Sequence, residues 1–267
     1  MKAYLEIYYT QLKISLAVQF QYRVAMAIWM IGRIIEPLIY LVVWNTVAQA
    51  KGGQVGGYSP ADFSAYFIVM MLVNQMTFTW VKWEYDYIIR SGALSFKLLR
   101  PIHPIHRDLA DNIAYKVLTV VIIIPAAFIL GWIVPPNFNT GLPDLVMALP
   151  VLVMAFLLRF MLDWTIAMAA FWTTRISAIN QTYFALMIFL GGQFAPLSLL
   201  PEPLQGLANL LPFRWIIAFP VELMLGQLAP RDIWVGFGAQ ALWLLLVLAA
   251  LRVVWRAGVK QYSAVGQ

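Results

Sequence analysis

Apolar residues along this chain come in blocks of about twenty, at 24–48, 61–81, 113–134, 145–171, 180–200 and 232–254, with short polar stretches between them. A helix of about twenty apolar residues crosses the hydrocarbon core of a bilayer, so the pattern predicts six transmembrane helices. An even number of crossings leaves both termini on one side. Ahead of the first block, Leu5, Tyr8, Leu12, Leu16 and Phe20 recur at helical spacing while Glu6, Thr10 and Lys13 fall on another face. That predicts an amphipathic helix over 1–23, lying on the membrane surface. The stretch from Pro196 to Pro230 is apolar but punctuated by Pro201, Pro203, Pro212 and Pro220. Proline stops a helix from running the full depth, so 196–231 is expected to form short re-entrant or interfacial helices between spans five and six. The whole chain, 1–267, reads as one all-α transmembrane domain of a polytopic membrane protein.

One polar island interrupts the hydrocarbon. Lys82, Glu84, Asp86, Arg90, Lys97, Arg100, Arg107, Asp108, Asp111 and Lys116 hold ten of the thirty formal charges, and both histidines, His103 and His106, lie among them. Held between spans two and three, 82–112 is expected to be a soluble-side loop where a partner docks. Composition agrees with a membrane protein, at 62% hydrophobic and 11% charged over 267 residues. Such a chain exceeds the apolar share of soluble domains, so its solvent is lipid. A net charge of +6 would suggest nucleic acid in a soluble protein. In a membrane it first sets orientation, and no nucleic-acid partner is expected. Lys2, Lys13, Arg23, the six cations of the island, Arg175, Arg252, Arg256 and Lys260 fall on one face; only Lys51, Arg214 and Arg231 fall on the other. The positive-inside rule makes the crowded face, with both termini, cytoplasmic. The start, MKAYLEIYYTQLK, does not read as a cleavable signal peptide.

Charges inside the spans each cost roughly 2.5–3.5 kcal/mol at mid-bilayer and need a reason. Arg33 and Glu36 stand three apart before Pro37, and Arg159 and Asp163 stand four apart. Each pair can neutralise itself along one helix face, which gives a structural role. The functional reading is a polar translocation interface, joined by Glu222 from the outer segment. Catalysis is not expected. No histidine lies in a span for a serine protease, and Asp163 is the only clear membrane aspartate for an aspartyl dyad. Pro104 separates His103 from His106, so no regular helix aligns them on a metal. The absence of cysteine removes thiolate sites and disulfides. Leu190-Gly191-Gly192-Gln193 echoes a nucleotide-site signature but lies inside an apolar span, and no phosphate-binding loop accompanies it.

The run Ile89-Arg90-Ser91-Gly92-Ala93-Leu94 followed by Leu98-Leu99-Arg100-Pro101-Ile102 resembles the segment between spans two and three of type-2 ABC exporter permeases. LLRPIHPIHRDLADN, the AFWTT run ending at Thr174, FAPLSLLPEPLQ and LPFRWIIAFPVELMLG are similar to its viologen-exporter-like branch. Where that family often has a threonine-glutamate pair after the glycine, Ala93 and Ser95 here bracket Leu94. The resemblance implies a coupling helix that docks on a separate ATPase subunit, in a bacterial plasma (inner) membrane. It also implies two such nucleotide-binding subunits carrying ATP and Mg, no cofactor in this chain, and a second permease, a heterodimer being favoured over a homodimer. The residues agree: Gly92 can end a helix, Leu94, Leu98 and Leu99 offer an apolar anchor, and Arg90, Lys97, Arg100 and Pro101 frame it. Export of a hydrophobic or amphipathic substrate through the permease interface is then expected. The alternatives are an ion-coupled secondary transporter using the intramembrane pairs as a relay, and a non-transporting scaffold.

Overall fold

A computed structural model describes residues 2–173 and 175–262. In chain order the helices are α1 (Lys2–Gln21), α2 (Arg23–Ala50), α3 (Pro60–Thr77), α4 (Val81–Arg90), α5 (Leu94–Leu98), α6 (Pro104–Ile133), α7 (Leu142–Ala167), α8 (Ser177–Leu190), α9 (Glu202–Leu210), α10 (Pro212–Ile216), α11 (Ala218–Met224) and α12 (Pro230–Gln261). Single 3-10 turns follow α7 at Met168–Phe171 and precede α9 at Leu197–Leu199.

Local chemistry sets the helix starts. Proline opens α3, α6, α10 and α12, where a missing N–H costs nothing and φ is already helical. Ser59 and Asp62 add a reciprocal cap: the Asp62 N–H donates to the Ser59 hydroxyl at 3.3 Å and the Ser59 N–H donates to the Asp62 carboxylate at 3.0 Å. Interior prolines at Pro37, Pro125 and Pro150 are carried within α2, α6 and α7, as neighbouring helices allow in membranes.

Among the described residues, five helices are long and apolar enough to cross a bilayer: Arg23–Ala50, Pro60–Arg90 (α3 and α4 taken together), Pro104–Ile133, Leu142–Phe171 and Pro230–Gln261. The block predicted at 180–200 differs. Its helix, α8, has 14 residues, about 21 Å at 1.5 Å per residue, against a core about 30 Å thick. It stops because Gly192 adopts φ +82°, and a Cβ there would meet the Tyr66 hydroxyl at 2.8 Å. The irregular stretch beyond is buried at Gln193 and Ala195. Tyr66 donates to the Gly192 carbonyl at 2.7 Å and the Trp44 indole donates to the Phe194 carbonyl at 2.7 Å. Non-helical backbone at this depth is satisfied by protein, as it must be in the absence of water.

α3 is the central helix, buried on every side by α2, α6, α7 and α11. The proline-punctuated segment forms the short α9, α10 and α11, and Ile216, Ile217 and Ala218 are fully buried against the bundle. On the outside, Trp29, Phe128 and Leu245 are exposed, the surface that lipid solvates. The bundle has two distinct ends. At one, Asn137 donates to Asp62 at 3.0 Å and Thr140 to the Met224 carbonyl at 2.7 Å. At the other, the Ser95 and Tyr262 hydroxyls lie 3.1 Å apart and the His103 ring lies 4.6 Å from that of Trp255. Most of the polar island sits there, and we call it the charged end.

α1 departs from a simple amphipathic helix. It packs along α6 through a polar seam in which Tyr8 shares a hydrogen bond with His106 Nδ1, Ser15 donates to Asp111, and Gln19 donates to the Asp111 carbonyl at 2.6 Å. Ile7, Ile14 and Val18 are exposed instead. Polar side chains that can pair with α6 are better satisfied there than against lipid, so Gln11 and Ser15 join the half-buried Tyr8, Leu12 and Leu16 while Ile7, Ile14 and Val18 lie outward. The side chain of Leu5, and Thr174 of the AFWTT run, lie outside the described residues.

Candidate functional site

The polar island is mostly helix, not loop. α4 continues the direction of α3 toward the charged end and buries Val81, Tyr85, Ile88 and Ile89 at i, i+4, i+7 and i+8 against α7. Gly92, at φ +75°, turns the chain out of α4, a conformation that costs a side-chain-bearing residue about 1–2 kcal/mol. α5 follows at once. Its phase separates the leucines expected to act together: Leu94 is fully buried and Leu98 packs beside it, whereas Leu99 is 83% exposed. Phe96, which the sequence reading did not single out, is 74% exposed. Residues 96 and 99 share the outer face of a helix whose inner face is 94 and 98, a distinction that period 3.6 contains once α5 is known to be helical.

Lys97 also turns inward, correcting its expected place on the rim. Its ammonium lies 3.1 Å from Asp108 Oδ1 and 3.6 Å from Glu84 Oε1. Arg90 pairs with Asp86 at 2.6 Å on the surface, and Arg100 and Pro101 are exposed. The inward pull comes from Asp108, 3% exposed, which the sequence offered only as a nearby loop acid. Tyr85 donates to it at 2.5 Å and the Trp164 indole at 3.0 Å, so one carboxylate ties α4, α5 and α7 to the start of α6. Pro104, Asp108 and Asn112 mark the buried stripe of α6, and that spacing was the available signal. His103 caps the same helix, its Nδ1 accepting from the Ile105 N–H at 3.3 Å. Burial, helped by His106 and opposed by Asp108, pushes its imidazole below the ordinary value.

The intramembrane charges pair between helices, not along them. Among the described residues, neither Arg33 with Glu36 nor Arg159 with Asp163 forms an ion pair. Asp163, fully buried, accepts from the Thr79 hydroxyl at 2.6 Å and lies 3.6 Å from the Lys82 ammonium. Arg159 donates to Asn74 Oδ1 at 2.8 Å and to the Thr77 hydroxyl at 3.0 Å. Arg33 reaches the Asn74 carbonyl at 3.4 Å and stands over the Phe78 ring at 4.0 Å. Lys116 donates to the Phe78 carbonyl at 2.8 Å. Lys82 and Lys116, assigned to the island, are therefore inside the bundle.

These side chains converge on Asn74, Thr77, Phe78 and Thr79, where α3 stops before α4 begins. A broken helix in hydrocarbon frees backbone groups that need partners: Lys116 of α6 and Arg33 of α2 reach the Phe78 and Asn74 carbonyls, while Arg159 and Asp163 of α7 bond the side chains of Asn74, Thr77 and Thr79. The physical reason for the correction is that a side chain satisfying a broken neighbour gains more than one folded back on its own surface. Glu222 does not complete this cluster in the way expected. It lies on α11 and accepts from Arg214 at 2.9 Å, and Arg214 also bonds Asn209.

An all-helical bundle with five long apolar helices and an exposed short helix at a charged end defines a multi-pass membrane protein. A family model described as ABC-2 family transporter protein matches residues 34–266. The chain belongs to that family and is an ABC-2 type permease, a membrane transport component whose family implies an ATP-binding partner. No curated protein and no solved structure matches it.

Proposed function

We propose that the chain, as one transmembrane domain, is the permease subunit of an ATP-driven exporter, and that the outer face of α5 is its contact with a separate ATPase carrying ATP and Mg. The carrying observation is the pair Phe96 and Leu99, exposed at the charged end on a helix whose other face is buried. Aromatic and aliphatic side chains ringed by charge, here Arg90 and Arg100, are the usual anchors of a protein interface. α5 is joined through Gly92 and α4 to the break at 78–80, so a push on α5 reaches the middle of the bundle along a helix resting on α7. Two ATPases and two permeases, the second of a different sequence, would form the working unit. With α8 and the buried backbone after it as the fifth, the chain would cross six times, and the distribution of basic residues supports a charged end facing the cytoplasm of a bacterium. The substrate class is hydrophobic or amphipathic, and the quoted segments favour the viologen-exporter-like branch.

The test is co-purification. Phe96→Asp with Leu99→Asp should abolish association with the ATPase while membrane insertion is unchanged, and retained association would overturn the docking face. If the gently solubilised chain carries no ATPase and no vanadate-sensitive turnover, the exporter reading fails; transport driven by a proton gradient alone would favour a relay.

A further inference from the structure

Between α1 and the turn that joins α5 to α6 lies a cavity of about 240 Å³, room for on the order of eight waters. Tyr8 and Gln11 form one wall, and Lys97, Arg100, His103 and Arg107 are among the residues opposite. Among the described residues, no carboxylate lines it. The acids nearby pair with its cations: Glu84 and Asp108 with Lys97, and Asp111 lies 3.7 Å from Arg107. Arg100 has no acidic partner among the described residues, and its guanidinium has five donors suited to a phosphate. Ile7, also lining the cavity, is 42% exposed, and Ile14 and Val18 continue the exposed apolar face of α1. That face belongs in the acyl-chain boundary, which sets the cavity at headgroup level.

We propose that this cavity binds a phosphate group, carried by an anionic phospholipid whose chains lie along the exposed face of α1. Basic pockets between helices at a cytoplasmic membrane face recognise such headgroups by charge and by multiple N–H donors. The cavity shares Arg100 with the rim of the α5 face, but the lipid test uses this chain alone and does not depend on the ATPase assignment. A bound lipid would fasten α1 to the α5–α6 turn, adding to the Tyr8–His106 and Ser15–Asp111 bonds.

The experiment uses the full chain in neutral detergent, with thermal unfolding followed by tryptophan fluorescence during titration with phosphatidylglycerol, phosphatidylcholine or inorganic phosphate. Phosphatidylglycerol is expected to raise the unfolding midpoint and phosphatidylcholine to leave it unchanged. Arg100→Gln with Arg107→Gln should weaken the effect about thirty-fold, and the corresponding lysine pair should retain most of it. Gln11→Glu keeps the side-chain shape, adds a negative charge to the wall and should also remove the effect, so the test survives a misfolded glutamine pair. Equal stabilisation by inorganic phosphate would support the phosphate site and overturn the lipid as its source. An equal response to both lipids, or an undiminished response in Gln11→Glu, would overturn the proposal.

Discussion

Single side chains in this bundle are held by partners on other helices, and removing one partner strands the other. Asp163→Leu leaves the Lys82 ammonium, 2% exposed, without a counter-charge. The expected loss of stability is about 3–5 kcal/mol, read as a lower unfolding midpoint in detergent. Lys82→Met combined with Asp163→Leu should recover most of it, because the desolvation cost then disappears with the charge. The sequence had both residues but paired Asp163 with Arg159, since spacing along one helix was all it could measure. His103 gives a pH dependence. Its folded pKa lies below the ordinary 6.5, so the folded state holds fewer protons than the unfolded chain and stability is lost as pH falls through 6.5 toward the folded value. His103→Asn keeps an acceptor at the helix cap and should flatten the unfolding midpoint between pH 7.5 and about 5.

At the scale of elements, the α3–α4 break and the α4–α5 turn decide where force could travel. Gly92→Val places a β-branched residue at φ +75° and should destabilise the turn by about 1–2 kcal/mol. The expected readout is faster hydrogen exchange in 91–99 with the long helices unchanged. Gly92 as a helix end was legible from sequence, as were the short helices after Pro196. The facing of α5 was not, because five residues carry too little periodicity to be phased until their neighbours are in place. The polar seam of α1 escaped for a related reason: Gln11, Ser15 and Gln19 look lipid-averse on a helical wheel, and only α6 gives them a reason to turn inward.

For the whole molecule, the chain has no cysteine, so introduced thiols report topology without background. Leu99→Cys should react with a membrane-impermeant maleimide only in inside-out vesicles, and Phe138→Cys, at an exposed position near the opposite end, only in right-side-out ones. Labelling of both from one side would contradict the proposed six-crossing arrangement. The sequence by itself determined the solvent, the all-helical class and most spans, because each depends on the local density of apolar residues and on proline. Only the tertiary structure decided that the fifth apolar block is a short helix finished by buried backbone, that Asp108 knots the charged end, and that the intramembrane cations serve a broken neighbour. Those outcomes turn on which groups meet across helices in a medium without water, where every freed backbone group and every charge must find its partner in another part of the chain.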